Sequence, residues 1–286
     1  MKFLKFVSTV LILVLAYGFF FQSKQEFFSL DLIQTSLPYN DKWENTHELA
    51  KEQYDSIFHQ EYTYFGKGAC AVSFQSKDQK YVIKFFKNGE VNSNWLSYIK
   101  KHLSFKKDDS HLKMIKTFDG YANAICYDKE NSALVYVSLN PQEKKLPTIK
   151  IVDHLGKSFL INLNTIPFVV QYKVAIFKDE LNACLAAGKI DLAKKKIEQI
   201  FSLYKEQYGK GLYDEGEGIL KNNGFYQENP IHFDVSKLTF DPKFREQVYP
   251  QKKIDLFAHK IIHWVNKRHP HYKKDLTEFL KANYLE

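Results

Sequence analysis

Cysteine is scarce in this chain, and what there is does not pair. Cys70, Cys126 and Cys184 are the only three in 286 residues, no C-x-x-C occurs, and the odd count offers no disulfide framework. They are expected to be buried free thiols. The signatures H-E-x-x-H, G-x-S-x-G and G-x-x-x-x-G-K-[ST] are all missing, which removes the simplest zinc-protease, serine-hydrolase and P-loop readings. Histidines gather between His263 and His271, but Pro270 splits them and no carboxylate or thiol cluster accompanies them, so a metal centre is not expected there. Internal repeats and low-complexity segments are also missing. Apolar and charged fractions of 44% and 26% exclude global disorder.

Acidic residues are the minority: 33 Asp and Glu face 41 Lys and Arg, for a formal charge of +8. That balance favours anionic surroundings such as phosphate or acidic lipid. Most of the charge is scattered as a solvated surface would carry it, and no nucleic-acid partner is expected. The one long apolar run is Phe6 to Phe21, 16 uncharged residues behind Lys2 and Lys5. It falls short of the ~20 residues that span a bilayer comfortably. Residues 1–22 therefore read as a signal peptide or a membrane anchor, and the chain as membrane-anchored or exported. The bulky end Ala16-Tyr17-Gly18-Phe19-Phe20 offers no A-x-A cleavage site and favours the anchor.

Beyond it, 23–43 reads as a polar linker, 44–174 as a strand-rich half and 175–286 as a helical half. Asn45–Phe58 has the apolar side of a short helix. Tyr62–Phe86 alternates as a hairpin and a third strand. Ser93–Leu103 and His111–Tyr127 are helix candidates, and Leu134–Leu139, Thr148–Val152, Ser158–Leu163 and Phe168–Val174 are strand candidates. After Lys178 the period changes to that of helices: Lys178–Ala187 closing at Gly188, then Ile190–Tyr208, Ile254–His269 and Tyr272–Leu285. Strands followed by helices predict an α+β chain in two lobes rather than an alternating parallel sheet.

Two places conflict with simple packing. Lys84 lies inside Tyr81-Val82-Ile83-Lys84-Phe85-Phe86, where an ammonium is costly without an anionic partner. One hairpin upstream, the turn Gly66-Lys67-Gly68 offers backbone donors of the kind that cradle phosphate. Together they suggest a nucleotide-phosphate clamp, although the glycines alone suit an ordinary hairpin and the lysine alone could snorkel from an edge. Further on, Asp234 ends a short apolar strand at a loop mouth, and Asn222 stands twelve residues earlier. Converging there, the two would be hard oxygen ligands suited to Mg²⁺. Read singly, Asp214 with Glu215 and Glu217 is a solvated acidic loop, Asn222-Asn223-Gly224 an ordinary turn, and Asp234 a cap.

Taken in order, these residues resemble the protein-kinase-like superfamily from about Glu61 to Leu238. Gly66-x-Gly68 resembles the start of the Gly-rich loop, with Val72 on the strand after it, and Lys84 resembles the strand lysine that binds phosphate oxygens. Asp214 falls where the catalytic-loop aspartate lies, Asn222 resembles the metal-binding asparagine, and Asp234 the aspartate of the D-F-G turn. The wording G-[LI]-x-D…N-x-G-F…I-H-x-D-V is, more narrowly, similar to uncharacterised kinase-like proteins of chlamydia-related bacteria. The resemblance implies a two-lobed kinase-like fold using ATP and Mg²⁺, with the adenine beside Val169-Val170-Gln171-Tyr172. The acceptor, protein or small molecule, is not implied. The chain departs from the pattern at Ala71 (third glycine), at Leu212-Tyr213-Asp214 (for H-R-D) and at Ser236 (for the D-F-G glycine). Asp214 to Asn222 is eight residues against the family's five, A-P-E is missing, and only Asp128 and Glu130 offer a carboxylate for Lys84. These departures leave open a catalytically inactive, pseudokinase-like binding module, or a basic membrane-associated domain with no nucleotide site.

Overall fold

The computed structural model describes residues 28–35, 37–44, 48–88, 110–140, 146–246 and 248–285. The apolar run Phe6–Phe21 and the candidate helix Ser93–Leu103 lie outside them. Among the described residues no helix is long and apolar enough to cross a membrane.

Helix α1 (Lys51–Phe58) leads into three antiparallel strands, β1 (Tyr62–Lys67), β2 (Ala71–Ser76) and β3 (Tyr81–Phe86). Helices α2 (Ser110–Tyr127) and α3 (Lys129–Ser132) follow, then β4 (Leu134–Ser138), a hairpin of β5 (Thr148–Val152) and β6 (Ser158–Asn162), and β7 (Phe168–Tyr172). They form one seven-stranded sheet in the order β4-β7-β3-β2-β1-β5-β6. All pairings are antiparallel except β1 with β5, which run parallel at Tyr62↔Ile151 and Thr63↔Val152.

The sheet curls because both of its faces have apolar side chains to bury. On one face Val72, Phe74, Ile83, Phe85, Phe168 and Val170 pack with Ile149, Ile151 and Ile161 from the returning hairpin and with Ile57 and Phe58 of α1. Each phenylalanine enclosed there contributes about 1.5–3 kcal/mol by leaving water. On the other face Phe86, Val137 and Val169 meet Phe118, Tyr121 and Ala124 of α2. β3 is therefore covered from both sides, and Lys84 is its one position that is not fully buried.

The helical half begins at the two-residue strand β8 (Ala175–Ile176), followed by α4 (Phe177–Ala186) and α5 (Ile190–Gly209). Ala193, Ile197, Ile200, Phe201 and Tyr204 put one face of α5 into a core shared with Phe257, Ile261 and Val265 of α7 (Val248–Arg268) and Leu276 and Leu280 of α8 (Lys273–Tyr284). Between α5 and α7 the chain forms β9 (Leu212–Asp214), α6 (Ile219–Asn222), β10 (Asn223–Tyr226), β11 (Asn229–His232) and β12 (Leu238–Phe240). β10 and β11 form a tight hairpin around Gln227 and Glu228, whose φ values of 49° and 66° suit the turn that matches strand twist. β12 pairs back onto β9.

Several expectations need correction. The stretch 23–43 is no linker from residue 28 onward, since Phe28, Leu32, Ile33, Leu37 and Trp43 are buried in the cores. Its polar composition hid apolar residues spaced to fill gaps between elements. α7 begins six residues before the predicted Ile254. Cys70 and Cys126 are exposed, and only Cys184 is buried. The turn read at Asn222-Asn223-Gly224 is instead the junction of α6 and β10, and Asp214 ends β9 rather than lying in a loop.

β8 fixes the start of the helical half by pairing with β10 at Gly224↔Ile176 and Phe225↔Ala175. The approach is close enough that a Cβ on Gly224 would stand 2.3 Å from the Ala175 carbonyl oxygen. Gly224→Ala is therefore expected to cost about 1–3 kcal/mol of stability as backbone is forced apart. Chemical denaturation measures it, and a loss below ~0.5 kcal/mol would mean that β8 yields freely.

Candidate functional site

The strand register decides which of the predicted residues meet. Gly66↔Ser73, Ser73↔Lys84, Lys84↔Val169 and Val169↔Val137 run as one row across five strands. Paired residues share a face, so Gly66 lies on the face that carries Lys84. A bulge between Tyr64 and Gly66 sets this register. A Cβ on Gly66 would meet nothing within 4 Å, which leaves open space over the row. Gly68 closes the hairpin tip by donating its N–H to the Ala71 carbonyl at 2.9 Å. Val72 does not join them. It pairs with Phe85 and is 1% exposed in the core on the opposite face, so its predicted contact with a ligand is corrected: Ala71 and Ser73 occupy that side instead.

Lys84 spans the space between the lobes. Its Nζ donates to the carbonyl oxygen of Phe233 at 3.1 Å and lies over the rings of Phe233 and Tyr121, 5.2 and 5.9 Å from their centroids. Burial pushes its pKa down from 10.5 to about 8, and the charge of Asp234 opposes that fall. Among the described residues its only hydrogen bond is the one to Phe233, so two of three ammonium donors have no partner there. The carboxylates proposed for it are engaged elsewhere or exposed. Asp128 is buried and accepts from Gln207 Nε2 at 2.6 Å and Lys210 Nζ at 2.7 Å, while Glu130 lies on the surface. From α2 it is Tyr121 that faces Lys84.

The same Phe233 oxygen accepts a second bond, from Gln171 Nε2 at 3.0 Å, and Gln171 also donates to the Ser132 carbonyl at 2.8 Å. At 1% exposure this side chain is a strut between β7 and the end of β11. Its predicted role as a nucleotide contact is corrected accordingly. Behind the strut α2 comes very near, since a Cβ on Gly120 would lie 2.3 Å from the Val235 carbonyl. The turn Asp234-Val235-Ser236 is thus clamped between helix and strand.

Asn222 and Asp234 are adjacent, as the twelve-residue separation allowed. The Asn222 carbonyl accepts from the N–H groups of Phe233 at 3.0 Å and Asp234 at 3.2 Å. The Asn222 amide is folded against Gly218, where a Cβ would meet its Oδ1 at 2.5 Å. Both side chains are half-buried, and among the described residues the Asp234 carboxylate makes no hydrogen bond or ion pair. A half-buried carboxylate without a partner among the described residues fits a hard divalent cation, and the ammonium bonded one residue away fits phosphate.

Asp214 is placed differently from its prediction. It is 1% exposed, its Oδ1 accepts from the Gly216 N–H at 2.7 Å, and its Oδ2 faces His232 Nε2 at 3.5 Å. At that distance the contact is electrostatic rather than a formed hydrogen bond, and among the described residues neither atom has a hydrogen-bond partner. Burial would raise the Asp214 carboxyl, but His232, the Gly216 N–H and Lys253 outweigh it and hold it below its ordinary range. A sealed carboxylate cannot receive a proton from an acceptor, so Asp214 supports the loop from beneath. Glu217 is, with Glu215, an exposed acid of this loop. It stands five residues before Asn222, the spacing of H-R-D-x-x-x-x-N, and that count was the signal available in the sequence. Its Oε2 and its carbonyl both accept from Lys260 Nζ, at 2.7 and 2.8 Å, and Lys260 holds its pKa low.

No protein-family model matches this chain, and no curated protein matches it. The narrower likeness to proteins of chlamydia-related bacteria therefore stands on the quoted residues alone. A solved structure described as "ROP18 kinase domain in complex with AMP-PNP and sucrose" aligns at a TM-score of 0.38 and 11% identity, over 62% of this chain and 51% of that one. The chain thus spans about half the length of that protein. So shallow a likeness says nothing of the site, whose chemistry rests on its own geometry.

Lys84 gives a direct test. The folded protein holds the amine near 8 and the unfolded chain keeps it near 10.5, so unfolding takes up a proton between those values and stability rises as pH climbs through them. Lys84→Met is expected to stabilise the protein at pH 7 by about 2 kcal/mol, with the gain shrinking toward pH 10.5. Urea denaturation from pH 7 to 10 checks this; a destabilised variant at pH 7 would show that the bond to Phe233 outweighs the cost of burying the charge.

Proposed function

We propose that this chain is a kinase-like phosphotransferase that moves the terminal phosphoryl group of Mg-ATP to an acceptor hydroxyl. One observation carries the reading: the Lys84 amine is bonded to the residue just before Asp234, whose own N–H is bonded to Asn222. An ammonium from the sheet and two candidate oxygen ligands from the helical half are thereby linked through Phe233, which supports reading them as one site.

Lys84 holds phosphate oxygens under the Gly66 hairpin. Asp234 and Asn222 would hold Mg²⁺, which when bound supplies neutralisation of phosphate charge. Glu217, rather than Asp214, takes the acceptor's proton. The acceptor oxygen forms a bond to the terminal phosphorus, the bond from that phosphorus to the bridging oxygen breaks, and the electron pair leaves with ADP. The chain's own residues act by positioning and charge, which is the larger part of such catalysis.

A second reading is favoured by Tyr121, whose ring occupies the side of Lys84 where a helix carboxylate would pair with it in an active kinase. The protein would then use the cleft as a nucleotide-responsive or plain docking module.

Thermal shift and phosphate transfer separate the two. Saturating Mg-ATP at about 100 times Kd is expected to stabilise the wild type by about 2.7 kcal/mol. Asp234→Asn and Lys84→Met should lose most of that. Glu217→Gln should keep the stabilisation and lose transfer by about 10²-fold or more. Undiminished transfer by Asp234→Asn would end the phosphotransferase reading; stabilisation without any transfer by the wild type would favour the docking module.

A further inference from the structure

The loop that carries Glu217 has a second side. Between it, the start of α4 and the later turns of α7 lies a cavity of about 550 Å³. That is the size of a small-molecule site, within the usual ~300–1,000 Å³. Five cations line it, Lys178, Lys221, Lys260, Lys267 and Arg268, against the single carboxylate of Glu217. Lys260 is tied to that carboxylate at 2.7 Å. Among the described residues the other four have no ion pair. Elsewhere lysines do find partners, as Lys150 does with Glu61, Lys196 with Glu180 and Lys210 with Asp128.

Helix ends account for part of this charge. Lys267 and Arg268 sit in the last turn of α7, where a cation complements the helix dipole. The same argument runs against Lys178, which stands in the first turn of α4, the positive end of that helix. Lys221 lies in the last turn of α6, a helix of only one turn whose dipole accounts for little of that charge. Like charges gathered round one hollow repel each other until an anion enters. The local field is also felt by His269, whose pKa is lowered by burial first and then by His271 and Arg268. Trp264 supplies an aromatic wall. The cavity and the Asp234 cleft share one short segment, with Glu217 to Lys221 lining the former and Asn222 bonded to the turn of the latter.

We propose that this cavity binds a small, phosphorylated molecule through Lys178, Lys221, Lys267 and Arg268, and that this molecule is the acceptor presented to Glu217. Its role as acceptor rests on the phosphotransfer reading; its binding does not.

The test uses the full chain without nucleotide or metal, titrated with pyrophosphate. Calorimetry gives the affinity, and tryptophan emission, assigned with Trp264→Phe, gives the location. Saturable binding that changes Trp264 emission is expected. Binding should weaken at least tenfold in K267E/R268E and about three- to tenfold in the milder K178A/K221A, each checked for folding by circular dichroism. K51E/K77E, which alters exposed lysines of the strand-rich half, should stay within twofold. The proposal is overturned if the cavity variants bind as the wild type does, if K51E/K77E loses as much, or if the emission change persists in Trp264→Phe. Pyrophosphate bound at Lys84 instead would leave Trp264 emission and both cavity variants unaffected, and would count against it equally. If the anion binds as expected but no phosphate is transferred, the site stands and the phosphotransfer reading falls. If phosphate is transferred to an acceptor while the cavity binds no anion, the site falls and the phosphotransfer reading stands.

Discussion

The carbonyl oxygen of Phe233 is the point on which the two halves of the molecule agree. It accepts the Lys84 amine from β3 and the Gln171 amide from β7, while the N–H of the same residue is bonded to Asn222. One residue of the helical half is thus held from the sheet on one side and from the end of α6 on the other. Charge-assisted bonds of this kind are stronger than neutral ones, and stronger still away from water. The position of Asp234, one residue on, follows from that arrangement.

Fixing the turn in this way has a cost that is visible in the groups around it. Lys84 keeps its charge against burial, its pKa brought down to about 8. Among the described residues Gln171 Oε1, Asp214 Oδ2 and His232 Nε2 are buried without a well-formed partner. Beneath the turn a line of polar side chains runs from Asp128 through Gln207 to His232 and Asp214, ending on the Gly216 N–H. A fold optimised for stability alone would fill this space with hydrocarbon. Polar groups held short of full satisfaction cluster where chemistry or binding is expected.

Much of the architecture is legible in the sequence, because periodicity reports burial directly. The alternation of β1 to β3, the face of α5 and the change of period after Lys178 all follow from which side chains must leave water. The conflict at Lys84 is legible for the same reason: an ammonium in an apolar strand asks for a partner. Val72 is not, because a single-residue shift of register moves a side chain to the other face, and the bulge near Gly66 that sets the register leaves no mark in composition. Gln171 is ambiguous because a polar residue at the end of an apolar strand can serve a ligand or its own fold, and only its partners, Ser132 and Phe233, decide. Residue type favours Asp214 over Glu217, although the five-residue count to Asn222 already points to the glutamate.

By itself the sequence determined the order of elements, the burial of β3 with a lysine inside it, and the presence of acids and amides in the segment from 214 to 234. These depend on local periodicity and on the cost of dehydrating charge, both properties of short stretches of chain. Only the tertiary structure decided which acid is sealed and which is open, which face of the sheet carries the site, and that Lys178 and Lys221 meet the end of α7 around one cavity. Those are contacts between residues distant along the chain, set by strand register and by the packing of helices whose separation in sequence says nothing of their separation in space.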